Sequence, residues 1–181
     1  MIVVVVPIRG FRVGKARLAA VLTEDERAAL SRAMATGVLD AAAPLPTIVV
    51  TSDEEVRSFA HDARATVIDD PGSLDAAARA GVEHARSMGA TRVIIVHADL
   101  AKPTPFAWVG DFDGVTIVPD RHGEGTNLLA LPVDAEFDFA YGVGSRARHV
   151  AEATRRGLAL RVCVDDDLGW DVDEPSDLPE A

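Results

Sequence analysis

One cysteine, Cys163, stands in 181 residues. A lone thiol excludes an internal disulfide and fits a reducing compartment, so a cytoplasmic location is expected. No apolar run approaches the roughly 20 residues that a membrane helix needs. The opening MIVVVVPIRG has no cationic region ahead of its apolar stretch, so no signal peptide is expected. Cations are in short supply, with 18 Lys and Arg against 29 Asp and Glu for a net charge of −11. That balance argues against a general nucleic-acid binder, which needs a basic face to neutralise phosphates. The five histidines (His61, His84, His97, His122, His149) form no HxH or HExxH pattern, which argues against a histidine metal site. His84 and His149 fall inside helical segments and are expected to pack at or near the surface. Ser52 and Ser145 lack a GxSxG setting, which disfavours serine hydrolysis. Cys163, in an apolar strand, reads as a core residue. With no repeat, low-complexity stretch or long linker, residues 1–181 are expected to form one domain, and monomer and homodimer are both compatible with the chain.

The charges that are present are unevenly spread. Met1 to Leu18 holds Arg9, Arg12, Lys15 and Arg17 and no acid. From Asp165 onward come Asp165, Asp166, Asp167, Asp171, Asp173, Glu174, Asp177 and Glu180, with no cation. A fold that keeps the two ends apart makes these solvated patches. One that joins them sets a cationic loop against carboxylates, an arrangement suited to phosphate and metal together.

Hydrophobic patterning gives the fold class. Ile2 to Val6 is a β-branched run, apolar at every position, as in a buried strand of a parallel sheet. Thr23 with Glu26 is a capping-box signal, followed by Leu30, Met34 and Val38 at helical spacing. Thr47 to Thr51 reads as a strand, and Ser52 with Glu55 repeats the capping signal before a helix to about His61. A short strand over Thr66 to Ile68 ends in the turn Asp69-Asp70-Pro71-Gly72. A third helix carries Leu74, Ala78, Gly81, Ala85 and Met88 on one face. Strands are expected over Arg92–His97, Gly114–Val118, Asn127–Pro132 and Leu158–Val164, with a helix from a Ser145 cap to about Arg156. Alternating strands and helices predict a three-layer, Rossmann-like α/β fold around a mostly parallel sheet. Ligands of such sheets bind beyond the carboxyl ends of the strands, where the polar loops of this chain fall.

Three constellations carry the candidate chemistry. The loop PIRGFRVGKARL combines glycines and cations after a first strand, a composition that can wrap phosphate or simply face water. It has neither the GxxxxGK[ST] nor the GxGxxG spacing. Asp171 and Asp173 on an extended segment point to the same side. Asp99 at another strand end can complete an oxygen-rich Mg2+ site, although all three also suit strand ends and caps. GEGT (Gly123–Thr126) and YGVGS (Tyr141–Ser145) permit close backbone approach to an anion, or serve as plain turns.

In order, PIRGFRVGKARL, DPGSLDAA, VHADL, PDRHGEGTNLLAL, YGVGSRARH and WDVDEPSDL resemble the guanylyltransferases of deazaflavin coenzyme F-420 biosynthesis over nearly the whole chain. The resemblance implies a nucleotidyltransferase fold and transfer of GMP from GTP to 2-phospho-L-lactate or phosphoenolpyruvate, with release of pyrophosphate. It implies that Asp99, Asp171 and Asp173 hold Mg2+, and that Thr126, Gly142 and Ser145 hold the phospho-acid. It also implies that Lys15 and Arg17 engage the triphosphate and that Gly72 lies by the nucleotide. The chain departs from the family pattern at Ala101 (usually Pro), Asp75 (usually Asn) and Arg9 (usually Lys); Asp75 is expected near the nucleotide. A sugar- or molybdopterin-type nucleotidyltransferase fits less well, because no LAGGxGxR-like first loop is present. A non-catalytic nucleotide- or partner-binding relative is the third reading.

Overall fold

A computed structural model describes residues 1–178, so Glu180 of the acidic C-terminal group lies outside the described residues. The strands are β1 (Ile2–Pro7), β2 (Thr47–Val50), β3 (Thr66–Ile68), β4 (Arg92–Val96), β5 (Val115–Val118), β6 (Leu128–Pro132) and β7 (Leu160–Val162). The helices are α1 (Glu24–Ala42), α2 (Glu54–Asp62), α3 (Leu74–Ser87) and α4 (Ser145–Arg155). The strands form one sheet of seven in the order β3-β2-β1-β4-β6-β5-β7. All run the same way except β6, which pairs antiparallel with both β4 and β5. The sheet is mostly parallel, as expected, with β6 as its one antiparallel strand.

The side-chain period of two explains the three layers. Val4, Val6, Val49, Ile94 and Val96 face one way and pack with Ala35 and Val38 of α1 and Val56 and Phe59 of α2. Val3, Val5, Ile48, Val50 and Ile95 face the other way, against Ala77, Ala78 and Ala85 of α3 and Ala153 of α4. Because both faces are covered, β1 is apolar at every central position. The packing is closest at Gly81, where a Cβ would stand 2.3 Å from Val5 Cγ1.

Capping follows the sequence in one helix and departs from it in two. Thr23 and Glu26 form the reciprocal box at the start of α1. At α2 the cap is Asp53, whose carboxylate accepts from Val56 N–H, and not Ser52. The Ser52 hydroxyl instead donates to the Asp70 carbonyl and accepts the Asp70 N–H, tying β2 to the turn after β3. Ser145 is not a cap either. Gly144, at φ 72°, holds that position in a left-handed conformation, and Ser145 is the first helical residue, buried. β7 is shorter than the Leu158–Val164 run, since Val164 lies exposed past the last paired residue. No helix among the described residues is long and apolar enough to cross a membrane.

Candidate active site

The loop after β1 turns sharply at Gly14 and Lys15, with φ of 109° and 52°. A positive φ is costly for lysine, so the chain holds it there only through what its side chain gains. Lys15 Nζ donates to Asp99 Oδ2 at 2.6 Å and to Asp173 Oδ1 at 2.9 Å. Burial opposes the ammonium charge, but the attraction of Asp99 and the bonds to both carboxylates outweigh it, and the lysine pKa lies above its ordinary value. Burial likewise opposes charge on Asp99, yet Lys15 and His97 hold its carboxyl below the usual range.

Backbone pairing brings the two acidic segments together. Leu100 and Asp171 form an antiparallel bridge, Val172 N–H donates to the Asp99 carbonyl, and Ala101 N–H donates to the Trp170 carbonyl. Asp177, buried, accepts the N–H groups of Asp173 and Glu174 and pairs with Arg121. Asp171 accepts from Asn127 Nδ2 at 3.4 Å. Its carboxyl is pushed up, first by burial and then by the charges of Asp99 and Asp173. Among the described residues no three His, Cys, Asp or Glu side chains stand together as a metal-ligating cluster, and the Lys15 ammonium lies between Asp99 and Asp173.

Two cavities meet at this point. The first, of about 440 Å3, lies between the β1 loop and the start of α3, lined by Arg9, Gly10, Gly14, Lys15 and Leu74. The second, of about 580 Å3, lies over the start of β6 and the N-terminus of α4, lined by Arg17, Gly125, Thr126, Gly142 and Ser145. Both are of a size that holds small ligands. His97, Asp99 and Asp173 line both.

Asp99, Asp173 and Lys15 are thus gathered at the junction, with Asp171, Thr126, Gly142, Ser145 and Arg17 around the second cavity. Arg17 pairs with Glu174 at 3.1 Å and sits apart from the first cavity. Gly72, at φ 104°, lines neither cavity; its carbonyl accepts from Arg9 at 2.9 Å. Asp75 also lines neither, and its carboxylate accepts the Tyr141 N–H at 2.7 Å. It therefore ties α3 to the glycine loop before α4.

The GEGT loop is shaped by Asp120, whose carboxylate accepts the N–H groups of Glu124 and Gly125 at 2.9 and 2.8 Å. A Cβ on Gly125 would stand 2.6 Å from that carboxylate, so glycine is required there. Sequence reasoning missed His97, Asn127 and His149. His97 follows β4 directly, and the placement of VHADL at a strand end was the available signal. Its Nε2 is buried without a partner among the described residues, as is Asp99 Oδ1. His149 is fully buried and is no surface packing residue. Its Nδ1 lies 3.1 Å from the Thr126 hydroxyl; helical periodicity alone does not reveal this contact, because it depends on the loop preceding β6.

The sequence model described as "Guanylyl transferase CofC like" matches residues 2–181. A phosphoenolpyruvate guanylyltransferase of Conexibacter woesei is 38% identical over 96% of this chain and 84% of its own length. A 2-phospho-L-lactate guanylyltransferase of Halorubrum lacusprofundi is 39% identical over 92% of this chain and 77% of its own. A 3-phospho-D-glycerate guanylyltransferase of Phenylobacterium zucineum is 34% identical over 98% and 88%. In fold, the chain is similar to a nucleotidyl transferase structure from Methanothermobacter, with a TM-score of 0.67 at 19% identity over 98% of this chain and 94% of that one.

Proposed function

This chain belongs to the CofC-like guanylyl transferase family, and on that premise we propose that it binds GTP in the first cavity and a three-carbon phospho-acid in the second. GMP is joined to the acid's phosphate and pyrophosphate is released. The observation that carries this reading is the meeting of two separate cavities at His97, Asp99 and Asp173. A transfer between two bound anions needs such a junction. The relatives are named for three different acids, and these share a carboxylate and a phosphate on three carbons.

A phosphate oxygen of the acid attacks the α-phosphorus of GTP in line. The bond from that phosphorus to the oxygen bridging to the β-phosphate breaks, and the electron pair leaves with pyrophosphate. The attacking phosphate is already anionic near neutral pH, so no protein base is required. Catalysis is then orientation and charge neutralisation. Lys15 moves its ammonium from the carboxylates to the triphosphate. Thr126, Gly142 and Ser145 hold the acid near the positive end of the α4 dipole.

Asp99, Asp171 and Asp173 are the residues that would hold Mg2+ once the Lys15 ammonium, which stands between Asp99 and Asp173 here, has moved to the triphosphate and the three carboxylates have drawn together. Two observations support the fit: the buried, unpartnered Oδ1 of Asp99, and the raised pKa of Asp171 beside two further carboxylates. When bound, the ion supplies positive charge to the triphosphate and to the leaving pyrophosphate.

The test is an assay of GTP and Mg2+ with phosphoenolpyruvate, 2-phospho-L-lactate and 3-phospho-D-glycerate in turn, read by pyrophosphate release and product mass. One acid is expected to give the guanylylated product, and chelation with EDTA is expected to stop turnover until Mg2+ is restored. No pyrophosphate with any of the three acids would refute the reading.

A further inference from the structure

His149 lies in α4 behind the second cavity with no exposed surface. Both of its ring nitrogens are engaged. Nε2 lies 3.1 Å from the backbone nitrogen of Ala140. A peptide N–H only donates, so Nε2 must carry the lone pair. In a neutral imidazole the proton then sits on Nδ1. Burial is the main cause that keeps this ring neutral, holding its pKa down to about 4.

Nδ1 lies 3.1 Å from Thr126 Oγ1. The ring therefore donates and the hydroxyl accepts. Thr126 is 1% exposed, and its hydroxyl has no other bonding partner among the described residues. It also lines the second cavity. The hydroxyl proton is left to point into that space.

We propose that His149 is a positioning residue whose fixed tautomer keeps the Thr126 hydroxyl proton free for donation toward an anionic oxygen of the phospho-acid. The proposal rests on the reading of the second cavity given above. A free threonine hydroxyl can turn a lone pair toward its ligand as easily as a proton. Thr126 does so less readily, because the ring takes one of its two lone pairs and keeps the hydroxyl proton from turning that way. The site thereby offers a hydrogen-bond donor to a deprotonated oxygen at that place. The chain Ala140 N–H to His149 to Thr126 also joins the loop before Gly142 to the end of the GEGT turn, so two walls of the cavity move as one.

Two measurements decide it. The first is the 15N spectrum of the imidazoles in the intact protein at neutral pH, with His149→Phe used to assign the signal. A ring protonated on Nδ1 alone is expected. A proton on Nε2 alone, or on both nitrogens, overturns the proposal, whatever the variants do.

The second is steady-state kinetics. His149→Phe keeps a ring but neither nitrogen, and is expected to raise KM for the phospho-acid by about tenfold, the loss of one hydrogen bond to a charged group. KM for GTP is expected to stay within about twofold, well inside a single hydrogen bond's effect. His149→Asn, which can still donate toward Thr126, is expected to recover part of the loss. Thr126→Val combined with His149→Phe is expected to be no worse than Thr126→Val alone. Equal rises in both KM values, or fully additive losses, overturn the proposal. If the parent protein makes no product with any acid, the functional reading fails, and the tautomer measured in the same sample still decides how Thr126 is oriented.

Discussion

Lys15 and Asp99 meet at 2.6 Å across 84 positions of chain. The contact closes the gap between the cationic opening loop and the acidic strand end. Replacing Lys15 by alanine is expected to lower kcat by about 10²-fold or more, the loss typical of removing one preorganised charge-stabilising group. Circular dichroism should retain the parent spectrum, since the sheet does not depend on this side chain. A variant turning over within threefold of the parent would show that the triphosphate is neutralised elsewhere.

Asp75 anchors the loop before α4. Its carboxylate accepts from Tyr141 N–H, one residue before Gly142. Asp75→Ala removes that anchor and is expected to raise KM for the phospho-acid about fivefold, in line with one net hydrogen bond of about 1 kcal/mol. Asp75→Asn keeps an accepting oxygen and should behave as the parent does. If the Asn variant shifts the preference between GTP and ATP, Asp75 reads the nucleotide after all.

Burial of His149 predicts a pH dependence of stability. Its pKa falls from 6.5 to about 4 on folding. Between those values the unfolded chain holds more protons at this site than the native one. Unfolding free energy then rises with pH, by up to about 1.4 kcal/mol per pH unit. The contribution is complete above about pH 6.5 and is lost as the pH falls toward 4. Asp75, Arg148, His97 and Tyr141 are charged or titratable groups that face the ring. Glu152, held near a pKa of about 2 by Arg155 first, adds stability that is lost as the pH falls below about 4.5 toward 2, so it overlaps the acid end of this range. Urea titrations across this range are expected to show a flatter curve for His149→Phe, and an unchanged slope would contradict a neutral buried ring.

Gly81→Ala tests the packing of α3 on β1. Alanine is the better helix former by about 1 kcal/mol. Against that, the new methyl would meet Val5 Cγ1 at 2.3 Å. Overpacking of this kind costs about 1–3 kcal/mol and is expected to win. Val5→Ala in the same chain should recover part of the loss, and denaturation midpoints of the two variants decide it.

Much of this architecture was legible in the sequence because it follows from local patterning. The all-apolar β1, the Thr23 box and the strand–helix alternation each depend on neighbours along the chain. Where they failed, a non-local partner had intervened. Ser52 gave up its cap because the Asp70 backbone reached it first, and Asp53 was available next door. The direction of β6 was hidden too, since a short apolar run reads the same either way. The candidate carboxylates, basic loop and glycine turns were legible from residue chemistry and their roles from motif resemblance, but their convergence needed the pairing of Leu100 with Asp171. Ala101 donates its N–H to the Trp170 carbonyl within that pairing, a bond that a proline at this position would lack.

The reversed strand has one more effect. Because β6 starts where β4 and β5 end, residues 119–127 leave the sheet and re-enter it at the same rim. Both feet of that excursion are pinned, and its middle forms part of the floor beneath the second ligand. Lengthening it by a residue or two is expected to reshape the second cavity without breaking a rung of the sheet.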